Sequence, residues 1–265
     1  MLIIGESLNA TRKAVRAAVI DHDVDFMQVL AKEQVACGAN MLDVNAAVAG
    51  RKEVEDLPWL VQVVQEVVDV PLVLDSADPD ALIAAIKVHR GRPMVNSISA
   101  ESDKIEKLVP VVSGADCSVI VLCMDDGGIP IDVEGRLKAG RAAIEPLLKA
   151  GKKKEDLYVD PLVMAISVDA NAANTTLEVI RSLGEGEFTG VNITGGLSNI
   201  SFGMPGRSLL NRVFMTMAIN MGLNSCITDV RDQALMSTIY ASLSLFEQSA
   251  CRDYIKKFRQ GLLVL

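Results

Sequence analysis

The sequence predicts a (β/α)8 TIM barrel, and three observations lead there. Eight short runs rich in Val, Ile and Leu recur along the chain, each followed by an amphipathic stretch of helical period. The 265 residues divide into eight units of about 33, close to the ~250 residues usual for this architecture. No Gly-rich fingerprint follows the first run, which disfavours the open doubly wound sheet that the same alternation allows.

The expected strands are Leu2–Glu6, Asn40–Asn45, Pro71–Asp75, Pro93–Ser97, Ser118–Cys123, Leu157–Asp160, Gly190–Ile193 and Ser225–Thr228. Runs this apolar suit a parallel sheet covered on both faces. Helix punctuation agrees: Asp78 can cap a helix that opens on Pro79, and Gly91 marks where that helix must stop. Three connections, Ala46–Leu57, Met124–Val133 and Thr194–Arg207, exceed what a tight turn needs. They follow strands two, five and seven, and in a barrel such loops share the one face that carries chemistry. Residues 1–265 are expected to form a single domain of this kind.

Composition narrows the function. The net charge of −8 disfavours nucleic acid, whose phosphates demand a basic face. No stretch approaches the roughly 18 apolar residues of a membrane span, and the opening Met1–Glu6 is too short for a signal-peptide core. A soluble, cytoplasmic protein is expected. The five cysteines form no C-x-x-C pair, so reduced and mostly buried thiols are expected, and two histidines alone do not make a His-rich metal site.

The strand ends are the informative positions. Glu6, Asp43, Asn45, Asp75, Asn96, Asp160, Asn192 and Asp229 close or follow them, and barrel closure would gather these into a ring of carboxylates and amides. For any single one, capping or a turn is an equally good account. Lys and Arg are nearly absent from these positions, which argues against a ligand held by its phosphates. The run Thr194-Gly195-Gly196-Leu197-Ser198 suits a close approach of backbone to a flat ligand as well as it suits a phosphate. A ring with N–H beside NH₂ pairs with a carboxylate through two parallel hydrogen bonds, and pterins and guanines carry that edge.

Leu74-Asp75-Ser76, Met94-Val95-Asn96-Ser97, Asp156-Leu157-Tyr158-Val159-Asp160-Pro161-Leu162 and Gly196-Leu197-Ser198-Asn199-Ile200-Ser201 resemble the methyltetrahydrofolate:corrinoid-protein methyltransferases, within the pterin-binding methyltransferases. The resemblance implies a pterin-binding TIM barrel. It implies that Asp160 takes the pterin N3–H and 2-amino group, Asn96 the pyrimidine side and Asp75 the N8 side. Asn199 would hydrogen-bond near N5, the methyl-bearing atom, and Arg207 matches a family arginine near the pterin. Gly196 and Ser198 would let the loop lie against the ring.

The implied chemistry moves a methyl group between N5 of tetrahydrofolate and the cobalt of a corrinoid (cobalamin) carried by a partner protein, so the cofactors carry the difficult step. Phe202, where one branch of the family has a polar run, leans the expectation toward transfer from methyl-corrinoid to tetrahydrofolate in a methylotrophic demethylase system. Ser7-Leu8-Asn9-Ala10 likewise replaces an R-I-N-G-like segment. The alternatives are 5-methyltetrahydrofolate to a corrinoid/iron–sulfur protein in the acetyl-CoA pathway, dihydropteroate synthase, and a non-catalytic folate-binding barrel. No protein-bound metal is implied. A homodimer is expected from the resemblance and from Ala234–Phe246, which is apolar on more than one face.

Overall fold

The computed structural model describes residues 1–246 and 250–264. Its strands are β1 (Leu2–Asn9), β2 (Met41–Asn45), β3 (Leu72–Asp75), β4 (Met94–Ala100), β5 (Ser118–Asp125), β6 (Leu157–Asp160), β7 (Asn192–Ile193) and β8 (Ser225–Thr228). The helices are α1 (Lys13–Asp21), α2 (Val24–Ala36), α3 (Glu53–Gln65), α4 (Pro79–Val88), α5 (Ser102–Gly114), α6 (Val133–Lys149), α7 (Ala172–Leu183), α8 (Arg207–Asn220), α9 (Gln233–Phe246) and α10 (Cys251–Arg259). The strands pair in parallel in the order β7-β6-β5-β4-β3-β2-β1-β8. Hydrogen bonds from Ile227 N to Gly195 O (3.1 Å) and Asn224 N to Ile193 O (3.3 Å) join the two ends and close the barrel.

Four helix starts have a clear local cause. Asp78 accepts from Asp80 N (2.9 Å) ahead of Pro79, Asp23 caps α2 through Phe26 N, and Asp132 caps α6 through Gly135 N. α3 opens at Glu53, earlier than the loop expected to run to Leu57. Glu53, Glu55 and Asp56 complement the positive helix end, and this outweighs the donor lost at Pro58.

Strand parity sorts the side chains. Outward residues such as Leu42, Leu72, Val95, Val119 and Val159 join the helices in one large core. Inward, Ile4, Met41, Val73, Met94 and Ile120 form a buried plug. Burial of each such side chain is worth about 1.5–3 kcal/mol. With a period of two, the next inward residues above that plug are Glu6, Asp43, Asp75, Asn96 and Leu122, and Asp160 stands two beyond Tyr158. The polar ring therefore rests on an apolar floor.

β1 is longer than expected and carries a bulge. Its partners on β2 shift from Gly5↔Leu42 to Leu8↔Val44, three residues against two. The extra residue reverses the parity, so Leu8 joins the outer core while Asn9 faces inward beside Asn45. Buried Gln34 on α2 accepts from Ser7 N (2.8 Å), and a Cβ on Gly5 would lie 2.6 Å from its Oε1. Gly5 thus admits the side chain that holds the bulge.

Ala234–Phe246 falls within α9, and most of it is absorbed by the fold: Leu235, Met236, Ile239 and Ser242 are buried, leaving Leu245 and Phe246 exposed. Of the cysteines, Cys117, Cys123 and Cys226 are buried, Cys37 is half-buried and Cys251 exposed, all free thiols. Among the described residues no helix is long and apolar enough to cross a membrane.

Candidate active site

Two polar groups stand at the carboxyl ends of the strands. The first spans β1 to β4. Asp75 Oδ2 accepts from Asn45 Nδ2 (3.1 Å) and Asn9 Nδ2 (3.3 Å), and Asp43 Oδ1 accepts from Asn96 Nδ2 (3.3 Å). Burial pushes the Asp75 carboxyl up to about 6, against the hydrogen bond from Asn45 and with the help of the Glu53 charge. Asp43, 2% exposed, is pushed well above the carboxylate range by burial and then by the Asp75 charge. The Asp75 charge and burial thus act in the same direction on Asp43, both disfavouring its ionised form.

The second group lies on β6 and the loop after β7. Asp160 Oδ1 accepts from Leu162 N (2.7 Å), and burial raises this carboxyl to about 6. A Cβ on Gly195 would lie 3.2 Å from Asp160 Oδ1, so Gly195 keeps the carboxylate uncrowded. A Cβ on Gly196 would meet only Asn199 Nδ2, at 3.9 Å. Asn199 is exposed on a 3₁₀ turn, Leu197–Ser201, and its side chain makes no hydrogen bond among the described residues.

Arg207 holds that turn. Its Nη2 donates to Ser198 O (2.9 Å) and its Nε to Ser201 Oγ (3.1 Å), while the Ser201 hydroxyl donates to Asn211 Oδ1 (2.7 Å). The guanidinium also lies 5.8 Å from the ring centre of Phe202. Its Nε and Nη2 are thus engaged on the loop that carries Asn199 and Ser198.

Two expectations about the ring need correction, and one long loop is to be added. Asn192 donates to Glu155 O (2.9 Å), ahead of β6, and therefore sits at the opposite end of the barrel. Glu6 and Asp229 are not free acceptors: Arg12, carried by the turn after β1, pairs with both, at 2.8 and 3.2 Å. That arginine is six residues past the expected end of its strand, so reading the strand ends alone missed it. Finally, the connection after β6, residues 161–171, is long too, and Ser167 Oγ donates to Phe202 O (2.6 Å), tying it to the β7 loop. Asp43 and Asn45 take their expected places in the ring, and Asn9, which the sequence reading missed because the bulge conceals it, joins them.

Residues 5–229 match the profile of the family described as "Pterin binding enzyme". The chain belongs to the pterin-binding enzyme family. This pterin-binding enzyme is 35% identical, over 98% of its own length and 97% of the other's, to a methylcorrinoid:tetrahydrofolate methyltransferase of Eubacterium limosum. It is 30% identical to the methionine synthase of Mycobacterium leprae over 86% of its length, a match spanning 20% of that larger protein. Among solved structures, DHPS of Yersinia pestis with a pterine-sulfa conjugate superposes with a TM-score of 0.67 at 17% identity, covering 95% of this chain and 93% of that one. That likeness shows a shared barrel fold.

Proposed function

We propose that the protein transfers a methyl group from the cobalt of a partner's corrinoid to N5 of tetrahydrofolate. The single observation that carries this reading is full-length similarity to a protein of that named activity. The ring of Asp75, Asn96 and Asp160 at the barrel mouth supports it. Asp160 on β6 would pair the pterin edge, with Asn96 on β4 and Asp75 on β3 beyond the intervening β5. Gly196 and Ser198 line the ring face, and Asn199 reaches N5 from the turn that Arg207 holds. The domain 1–265 thus acts as one catalytic unit that positions a pterin and leaves N5 open, which is most of what such a transfer requires of a protein. The methyl-corrinoid to tetrahydrofolate direction, over transfer to a corrinoid/iron–sulfur protein, follows the named activity of the similar protein and the Phe202 that stands where the other branch has a polar run. The test is methyl transfer from free methylcobalamin to tetrahydrofolate; binding of folate without transfer would leave a folate-binding barrel instead.

The corrinoid protein needs a docking surface around that mouth. Ile129 and Ile131 after β5 and Met164 and Val168 after β6 line a groove of about 630 Å³, with Ile131 80% and Val168 74% exposed. Exposed apolar side chains clustered beside a reacting face mark an interaction surface. Ile131→Asp and Val168→Asp are expected to raise the KM for the corrinoid protein about tenfold or more each, the range of a buried interface anchor. Affinity for tetrahydrofolate should stay unchanged, and a parallel loss of folate binding would overturn the footprint.

A homodimer completes the reading. Leu209, Val213 and Met217 recur at four-residue spacing on α8 and are 61%, 53% and 43% exposed, and Leu245 and Phe246 are exposed on α9, which packs against α8 through Thr216 and Ser242. Sedimentation at micromolar concentration is expected to give twice the chain mass, and Val213→Glu the monomer. A monomeric mass for the unsubstituted protein would refute the dimer.

A further inference from the structure

We propose that Arg136 is a positioning residue for Asp160, holding the turn that aims this carboxylate and opposing its burial with a fixed positive charge. The inference rests on Asp160 being the pterin anchor. Arg136 lies on the first turn of α6 and is completely buried. Its Nη1 donates to Leu162 O (2.7 Å) and Pro161 O (3.1 Å), and its Nε donates to Pro130 O (2.9 Å) in the loop after β5. The guanidinium therefore clamps the two residues that immediately follow Asp160.

That turn is not self-sustaining. Leu162 has φ +61°, a left-handed conformation that a branched side chain seldom adopts, so surrounding structure must hold it. Its N–H, aimed by this conformation, is the donor that fixes Asp160 Oδ1 at 2.7 Å. The chain of cause runs from Arg136 through the carbonyls of Pro161 and Leu162, through the Leu162 amide, to the carboxylate.

The charge acts alongside the geometry. A buried guanidinium without an ion-pair partner is costly, and Nη2 makes no hydrogen bond among the described residues. Asp160 on β6 and Cys123 on β5 face it from the barrel wall, and Asp169 and Asp132 from the two loops. From its own side, Asp160 meets the Leu162 amide and the Arg136 charge, with the Cys123 thiol kept neutral by burial. Arg136 is thus the cation that favours an ionised Asp160, and only the ionised form accepts both hydrogens of the pterin edge.

The test measures tetrahydrofolate binding by calorimetry at pH 8 and pH 6 for the full chain, Arg136→Gln and Arg136→Lys, beside a ¹³C titration of the ligand-free Asp160 carboxyl. Loss of the charge in Arg136→Gln should move the Asp160 midpoint up by about 1 pH unit. Binding then weakens about fivefold more at pH 6 than at pH 8, while Arg136→Lys keeps the original midpoint. An unmoved midpoint in Arg136→Gln, or equal losses at both pH values, overturns the proposal and leaves Arg136 a packing residue. Should Arg136→Gln fail to fold, the unsubstituted chain decides. Its Arg136 guanidinium ¹⁵N signals must titrate at the Asp160 midpoint, and the absence of a shared midpoint also overturns the proposal. Failure of the unsubstituted chain to bind tetrahydrofolate would remove the pterin reading, while the ligand-free titrations would still decide the coupling of Arg136 to Asp160.

Discussion

Asn199→Ala is expected to slow methyl transfer by about 10²-fold or more at saturating folate, the usual loss when a preorganised donor to a changing charge is removed. The Asn199 side chain makes no hydrogen bond among the described residues and stands on an exposed turn, so its amide is available to N5, where charge changes as the methyl moves. Folate affinity should fall far less, because the pyrimidine edge is anchored elsewhere. The turn itself should survive, since Arg207 holds it through Ser198 O and Ser201 Oγ and not through the Asn199 side chain. Single-turnover transfer measured beside equilibrium binding checks this; equal losses in both would assign Asn199 to loop shape. An amide is no acid, so Asn199 orients and stabilises N5 without taking the proton that N5 loses as it gains the methyl.

Asp160→Asn is expected to weaken tetrahydrofolate binding at pH 8 by about 5- to 150-fold, the cost of roughly 1–3 kcal/mol for a donor placed where a buried acceptor is required. The pH dependence carries a second signature. Burial raises Asp160 to about 6, and the acceptor is lost as the pH falls through that value. Affinity of the unsubstituted protein should therefore decline below pH 6, toward tenfold per unit for each carboxylate that must be ionised. Asp75 is also raised to about 6 and contributes to the same limb. Asp160→Asn should make that limb shallower by one proton without abolishing it. Calorimetry between pH 5 and 8 measures both effects, and an affinity or a limb unchanged by the substitution would remove Asp160 from the anchor.

Much of this protein is written in short-range pattern. Eight apolar runs and their intervening helices need only the two periods of the backbone, and caps such as Asp78 before Pro79 act over two or three residues. The ring positions Asp75, Asn96 and Asp160 follow from the same parity, because each stands one inward step beyond a plug residue. What the local pattern does not contain is register. Gln34, 27 residues from Ser7, holds the bulge that reverses β1 and turns Asn9 toward Asp75. Closure against β8 brings Arg12 to Asp229 across 217 residues of sequence. Asn192, at a strand end by pattern, falls at the far end because β7 is only two residues long and starts beside Tyr158. Arg136 reads locally as one more charge on an amphipathic helix; only the packing of α6 against the turn after β6 buries it and places its donors on Pro161 and Leu162. The sequence alone determined which residues could form strands, caps and an acceptor ring, since those depend on neighbours a few residues away. The tertiary structure alone decided which of them meet, since closing a barrel sets each strand's register by partners tens to hundreds of residues distant.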